Sequence, residues 1–422
     1  MKRILIAVLL CLPMPLVARA QPLTLDQALT EAYAYLQFDD ATRTYHDAAA
    51  LAEKNAGKTW LPRITLDGSF SHQNENVSIP VDLPVPGFTP PSSPLSFTRL
   101  LLNFSQTIYD GSLAANRKKL ARASYAIREK ELEVEKVGIK SQVLSLYMSI
   151  LLADERLAIL DNRRRVLAER HTVLSQAERF GGAATVDVKT LAAELLLVEQ
   201  NLIEARHARA TVLGSLGELM GRDLPADQAL VRPAPQVVLA DDVSARPELQ
   251  LVDLQIAHLD IQRSLLDTSR RPRLSAFGTV GGGVPGYDIF RDEVSFMGQI
   301  GVSLQWQVLD WSQAHNEKRI LAADQALADF QRRRLQTRLL SELKTYGREI
   351  GQFAALLDKD DDLVVLRAEV SDIKAAQLEN GTITSTDYIT ETNLEDEARL
   401  NQKIHELRLV LARLNYLTLQ GK

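Results

Sequence analysis

The chain has 422 residues, a formal net charge of −5 and 24% charged side chains, with a single cysteine, Cys11. That length holds more than one core, and the acidic balance gives no electrostatic footprint for a nucleic-acid partner. One cysteine near the N-terminus excludes a disulfide framework and any thiolate metal site.

Lys2-Arg3, an apolar run from Ile4 to Val17 and then Ala18-Arg19-Ala20 form the basic region, apolar core and cleavage site of a secretory signal peptide over residues 1–20, cut before Gln21. Cys11 does not read as a lipoprotein acylation site. Leu10 precedes it where a small residue is wanted, and the apolar run continues past it. Further on, no apolar stretch is long enough for a membrane helix. Membrane β-barrels give weak hydropathy signals and stay open as a reading.

A helical stretch from Leu25 to Lys58 leads into two segments of period-two alternation, predicted as strands over about 61–73 and 97–109. In the first, Ile64, Leu66, Gly68 and Phe70 alternate with Arg63, Thr65, Asp67 and Ser69; in the second, Leu100, Leu102 and Phe104 alternate with Arg99, Asn103 and Ser105. The connection between them is proline-rich (Pro80, Pro84, Pro86, Pro90, Pro91, Pro94) and cannot be a strand interior. From residue 112 to 180 the sequence reads as one helix with no proline. Nearly 70 residues at about 1.5 Å each give roughly 105 Å, far beyond a globular helix. Leu144, Leu151, Leu157, Leu160 and Leu167 mark its apolar seam. The helix ends at Arg179-Phe-Gly-Gly182, and a return helix is expected over 186–221, with Thr185 as its cap and Asp187 in its first turn. A proline-bearing linker, 222–246, follows.

The second half then repeats the first. Asp110, Asn116, Lys118, Gly181, Asp187 and Gly221 meet Asp310, Asn316, Lys318, Gly381, Asp387 and Gly421, all 200 residues on, while Pro62-Arg63 and Gly68 meet Pro272-Arg273 and Gly278, 210 on. The chain is therefore two tandem repeats, 21–221 and 247–422, and the first carries extra residues between its strands. In the second repeat, strands are predicted over about 272–283 and 294–309, a long helix over 312–380 and a return helix over 386–420, with Ser385 as the cap. Here Leu274, Ala276, Gly278 and Val280 alternate with Arg273, Ser275 and Thr279, and Ile300, Val302 and Leu304 with Gln299, Ser303 and Gln305. Each strand is as long as a tilted membrane strand. Four strands cannot close a barrel, and open edges are not tolerated in lipid. A barrel built from them must be shared between subunits.

The order helix, strand, loop, strand, long helix, glycine turn, return helix, twice over, resembles the TolC-type outer-membrane efflux protein family. The residues that carry the likeness are Leu23-Thr-Leu-Asp-Gln-Ala-Leu29, the strand starts Leu61-Pro-Arg-Ile64 and Arg271-Pro-Arg-Leu274, the strand exits Tyr109-Asp-Gly111 and Leu309-Asp-Trp311, and the turns ending in Asp187 and Asp387. The resemblance implies a mainly α fold that contributes four strands per subunit: a homotrimer with a shared twelve-stranded outer-membrane β-barrel and a long α-helical coiled-coil barrel across the periplasm. It also implies an entrance at the hairpin turns Gly181, Gly182 and Gly381, ringed by acids. Asp387 stands at the first acidic position, Thr390 replaces the second with Glu391 beside it, and Asp187 matches the first-repeat acid that locks the closed entrance. The tyrosine and arginine that meet this acid elsewhere in the family are Leu378 and Ile383 here, which points to an apolar lock instead.

Other chemistry is weak. Glu204-Ala-Arg-His207 has the spacing of a helical di-iron site, but only one copy exists. The histidines are scattered, no nucleophile motif appears, and Asp358-Lys-Asp-Asp-Asp362 reads as a solvated helix face. Gly281-Gly-Gly-Val-Pro-Gly286 follows a strand, but no helix comes after it to cradle phosphate. The expectation is therefore no enzyme, cofactor or metal. A channel-tunnel in the outer membrane of a Gram-negative bacterium, extending into the periplasm, would serve a tripartite efflux pump or type I secretion system. Its partners would be a periplasmic adaptor (membrane fusion) protein, an inner-membrane transporter and outer-membrane lipid. Thr65, Asp67, Ser105, Ser275 and Gln305 would face the barrel lumen, and Leu66, Phe70, Leu102, Ile300 and Leu304 the lipid. A periplasmic coiled-coil adaptor or structural protein of an envelope-spanning complex is the alternative.

Overall fold

A computed structural model describes residues 21–80, 87 and 90–422. The expected signal peptide, with Cys11, and Pro84 and Pro86 of the proline-rich connection lie outside the described residues. The element order is α1 (Leu25–Tyr35), α2 (Phe38–Gly57), a short 3₁₀ turn (Lys58–Trp60), β1 (Arg63–His72), β2 (Ser96–Tyr109), α3 (Leu113–Arg179), α4 (Thr185–Met220), α5 (Pro247–Ser269), β3 (Arg273–Val284), β4 (Ser295–Gln305), α6 (Gln313–Glu379) and α7 (Ser385–Leu419). The stretch leading into the first strands is two helices rather than one. Gln37, between them, takes a left-handed φ of 57°, which a continuous helix cannot contain.

The described residues divide into two units, each assembled from both halves of the sequence: those of 40–134 with 244–338, and those of 21–39, 135–243 and 339–422. In the first unit the four strands form one antiparallel sheet in the order β1-β2-β3-β4. The register pairs Leu66 with Leu102, Leu102 with Val280 and Gly278 with Ile300, and on the opposite face Thr65 with Asn103, Asn103 with Thr279 and Thr279 with Gln299. Because side chains alternate along a strand, the two patterns read in the sequence become two faces. β4 stops at Gln305, short of the expected 309. Gln305 already pairs with Arg273, the first residue of β3, so residues beyond it have no neighbour to bond.

Each strand pair passes into its long helix through the same device. Asp110 accepts hydrogen bonds from the amides of Ser112 (2.8 Å) and Ala114 (2.7 Å), and Asp310 from those of Ser312 (3.2 Å) and Ala314 (3.4 Å). A carboxylate thus satisfies two of the amides that a helix start leaves unpaired. Residues 111–112 and 311–312 take left-handed φ values to allow it. Gly111 suits that geometry; Trp311, with φ 48°, takes it without a glycine's freedom.

The helical unit holds two apolar clusters. Leu144 and Leu151 of α3 pack with Val143, Tyr147 and Ile150 against Leu213 and Leu216 of α4, while Leu167 packs with Leu191 and Leu202 of α4 and Leu378 of α6. Leu157 and Leu160 pack against the second cluster. The linker is tied along the first. Leu23 bridges Leu230, the Tyr147 hydroxyl reaches the carbonyls of Leu23 (2.7 Å) and Val231 (2.6 Å), and Tyr416 both donates to and accepts from the backbone of Ala240.

Candidate functional site: the hairpin turns and the two-faced sheet

Both long helices end in the same glycine-dependent turn. The amides of Gly181 and Gly182 donate to the carbonyls of Glu178 and Ala177, and those of Gly381 and Thr382 to Leu378 and Gln377. This is the Schellman pattern, which needs a left-handed residue just past the helix. Gly181 (φ 75°) and Gly381 (φ 67°) supply it.

The caps of the return helices fall one residue earlier than expected. Thr384, not Ser385, caps α7: its hydroxyl accepts from the Asp387 amide (3.3 Å), and the Asp387 carboxylate accepts from the Thr384 amide (3.1 Å) and hydroxyl (2.7 Å). In α4 the cap position is Ala184, which has no oxygen to offer, and Thr185 is already helical. The Thr384 bonds hold the Asp387 carboxyl below its ordinary value.

The two turns meet. Asp187 of α4 accepts the Ser385 amide of α7 at 2.8 Å, so the first repeat's acid closes the backbone of the second repeat's helix start. A recess of about 370 Å³ gathers Asp187, Leu378 and Ile383 with Gly181, Gly182 and Gly381. Leu378 is buried and Ile383 packs beside it on the cluster of Val188, Tyr388 and Ile389. Asp387 and Glu391 stand outside this recess. Asp387 is exposed, whereas Glu391 is held by Arg367 of α6 at 3.0 Å, which makes it a paired carboxylate and not a free one.

Sequence reasoning missed a partly buried charge cluster above these turns. Arg163 of α3 donates to Glu194 of α4 and stands 3.4 Å from Asp396 of α7. Burial, only partly offset by Arg163, pushes the Asp396 carboxyl up to about 6. Spacing along α7 gave no cue to this cluster, because Arg163, which joins Asp396 to Glu194, comes from α3. The Asp358–Asp362 run is also less solvated than expected. Asp360 is buried and meets His405 Nδ1 at 2.6 Å, and Asp361 accepts from Gln402 at 2.6 Å. Both partners lie on α7 and are invisible to a composition argument.

In the other unit, Leu66, Phe70, Leu102, Ile300 and Leu304 fall together on the apolar face, all exposed, Ile300 to 90%. Thr65, Asp67, Ser105, Ser275 and Gln305 fall together on the other face. There Asn103 donates to Asp67 and accepts from the Thr279 hydroxyl at 2.7 Å, forming a polar rung across three strands.

A sheet with one mainly apolar and one mainly polar face, in a chain with two 67-residue helices that end in glycine turns, is the pattern expected of an outer-membrane channel protein. Residues 40–222 match the family model of outer membrane efflux proteins. In structure the chain is similar to the outer membrane protein VceC from Vibrio cholerae (TM-score 0.70, 15% identity, 94% of this chain and 96% of that one). It is similar also to the Campylobacter jejuni CmeC outer membrane channel (0.70, 14%, 94% and 85%) and to the open state of the Neisseria gonorrhoeae MtrE outer membrane channel (0.69, 14%, 94% and 89%). No protein of curated function matches it in sequence. The family likeness in sequence thus falls on residues 40–222, and the fold shared with these channels covers 94% of the chain. The solved proteins it resembles are outer-membrane channels.

Proposed function

We propose that the chain is one subunit of a homotrimeric channel-tunnel that serves as a passive exit duct. The observation that carries this reading is the sheet. It has four strands, two free edges (β1 and β4), and an exposed apolar face on every strand. Four strands cannot enclose a pore, and free edges cannot face lipid. Three copies joined edge to edge give twelve strands and remove every edge. The apolar face, with Leu102 and Ile300, meets lipid, and the polar face, with Ser105 and Gln305, lines the lumen. The two repeats, 21–221 and 247–422, joined by 222–246, each supply one strand pair and one helical hairpin. Export removes residues 1–20.

The long helices span the periplasm. Their turns form the entrance, where Asp187, Leu378 and Ile383 hold the closed state and Asp387 faces the axis. A periplasmic adaptor and an inner-membrane transporter deliver cargo there, and the duct performs no chemistry on it. The test is the native mass of the mature chain extracted from outer membranes in detergent. A trimer is expected. A monomer that stays in solution without detergent would instead favour a periplasmic coiled-coil adaptor or structural protein.

A further inference from the structure

The polar face of the sheet is cationic in a chain whose net charge is negative. It carries Arg63, Arg99 and Arg273 against one carboxylate, Asp67, and that carboxylate is already engaged by Asn103 and Thr65. At the foot of this face a recess of about 640 Å³ is lined by Asn55, Lys58, Thr59, Arg63, Ser105 and Thr107. The register sets Arg63 opposite Ser105, and Thr107 lies two residues further along the same face. No acid lines the recess, and among the described residues neither Lys58 nor Arg63 forms an ion pair. The side chains of Asn55, Ser105 and Thr107 likewise have no protein partner, whereas the Thr59 hydroxyl donates to the Ala56 carbonyl at 3.1 Å.

We propose that this recess is an anion-binding subsite, taking a carboxylate, phosphate or sulfonate group of a molecule on its way through the duct. Two neighbouring cations without counter-charges repel each other, and an oxyanion between them relieves that repulsion. The Arg63 guanidinium offers a planar fork to two oxygens, and Lys58 a point charge to a third. The Ser105 and Thr107 hydroxyls and the Asn55 amide are donors without a competing acceptor. The second repeat does not rebuild the site. At the matching positions, 210 residues on, stand Arg273 and Thr268, and Thr268 is buried. Each subunit therefore carries one such recess, in its first repeat.

The traffic through the subsite rests on the exit-duct reading; the binding does not. The experiment is calorimetric titration of inorganic pyrophosphate into the detergent-solubilised full chain at low salt. Three proteins are compared: the natural chain, Lys58→Gln/Arg63→Gln, and Lys54→Gln/Lys119→Gln. The last removes the same charge at exposed positions outside the recess. The natural chain and the Lys54/Lys119 variant are expected to bind alike, and the Lys58/Arg63 variant about tenfold more weakly, as expected when charge-assisted hydrogen bonds are lost. Equal weakening in both variants, or no heat in any of the three, overturns the subsite. Reversal potentials in planar bilayers under a KCl gradient separate the two readings. A conducting trimer whose ion preference ignores Lys58→Gln/Arg63→Gln overturns the subsite and keeps the duct. A protein that binds pyrophosphate through Arg63 and never conducts keeps the subsite and overturns the duct.

Discussion

Asp396 is the residue whose environment is most at odds with its chemistry. Its carboxylate is buried among Arg163, Glu194, Glu395 and Arg399, and neither its Oδ2 nor Arg163 Nε makes a hydrogen bond. Burial raises its pKa from the ordinary 3.8 to about 6. A folded value above the unfolded one means that the charged form is disfavoured. The contribution of this group to stability is full below the unfolded pKa and is lost as pH rises through about 6. At neutral pH the penalty approaches 3 kcal/mol, at about 1.4 kcal/mol per pKa unit. Asp396→Asn keeps the neutral shape and leaves Arg163 paired with Glu194. Melting curves by circular dichroism should show no difference between variant and natural chain near about pH 4 and a growing advantage for the variant up to about pH 7.5. A difference that stays constant across that range would mean that Asp396 does not titrate in it.

At the scale of elements, the strands were the most legible part of the sequence. Period-two alternation in Leu66, Leu102 and Ile300 against Thr65, Ser105 and Gln299 needs only the pleat to become two faces, and the register keeps the pairs in phase except at the end of β2, where a shift brings Tyr109 opposite Leu274. The glycine turns were legible for the same reason: a left-handed residue after a long helix has few chemical solutions. What failed to show were features decided by a partner element. The end of β4 is set by where β3 begins, and the pairing of Asp360 by His405 on α7; the cap of α7 is a local choice, made by Thr384 rather than Ser385 reaching the Asp387 amide. The face assignment has a direct check. Leu102→Arg places a charge on the apolar face at a cost of about 2–4 kcal/mol if that face meets lipid, whereas Ser105→Arg adds one to a face that already carries arginines. Outer-membrane yield should fall sharply for the first and little for the second. Equal yields would contradict the assignment.

At the scale of the whole molecule, the proposed duct would have to stay shut until partners open it, so its closed entrance would have to be held by the chain itself. We propose that two kinds of contact do this at the turns. One is polar, the Asp187 carboxylate on the Ser385 amide; the other is apolar, Leu378 and Ile383 on the cluster of Val188, Tyr388 and Ile389. Their magnitudes differ. Losing the Asp187 bond costs about 1–3 kcal/mol, because it leaves the amide of the buried Ser385 without its partner. Truncating a buried leucine costs about 2–5 kcal/mol, with no water able to replace its contacts. The apolar contact should therefore dominate. In planar bilayers, Leu378→Ala should raise the conductance of the resting trimer more than Asp187→Ala, and the double variant should exceed both. The opposite order, with Asp187→Ala alone opening the channel, would make the single carboxylate the lock. Leu378 and Ile383 would then be only the packing beneath it.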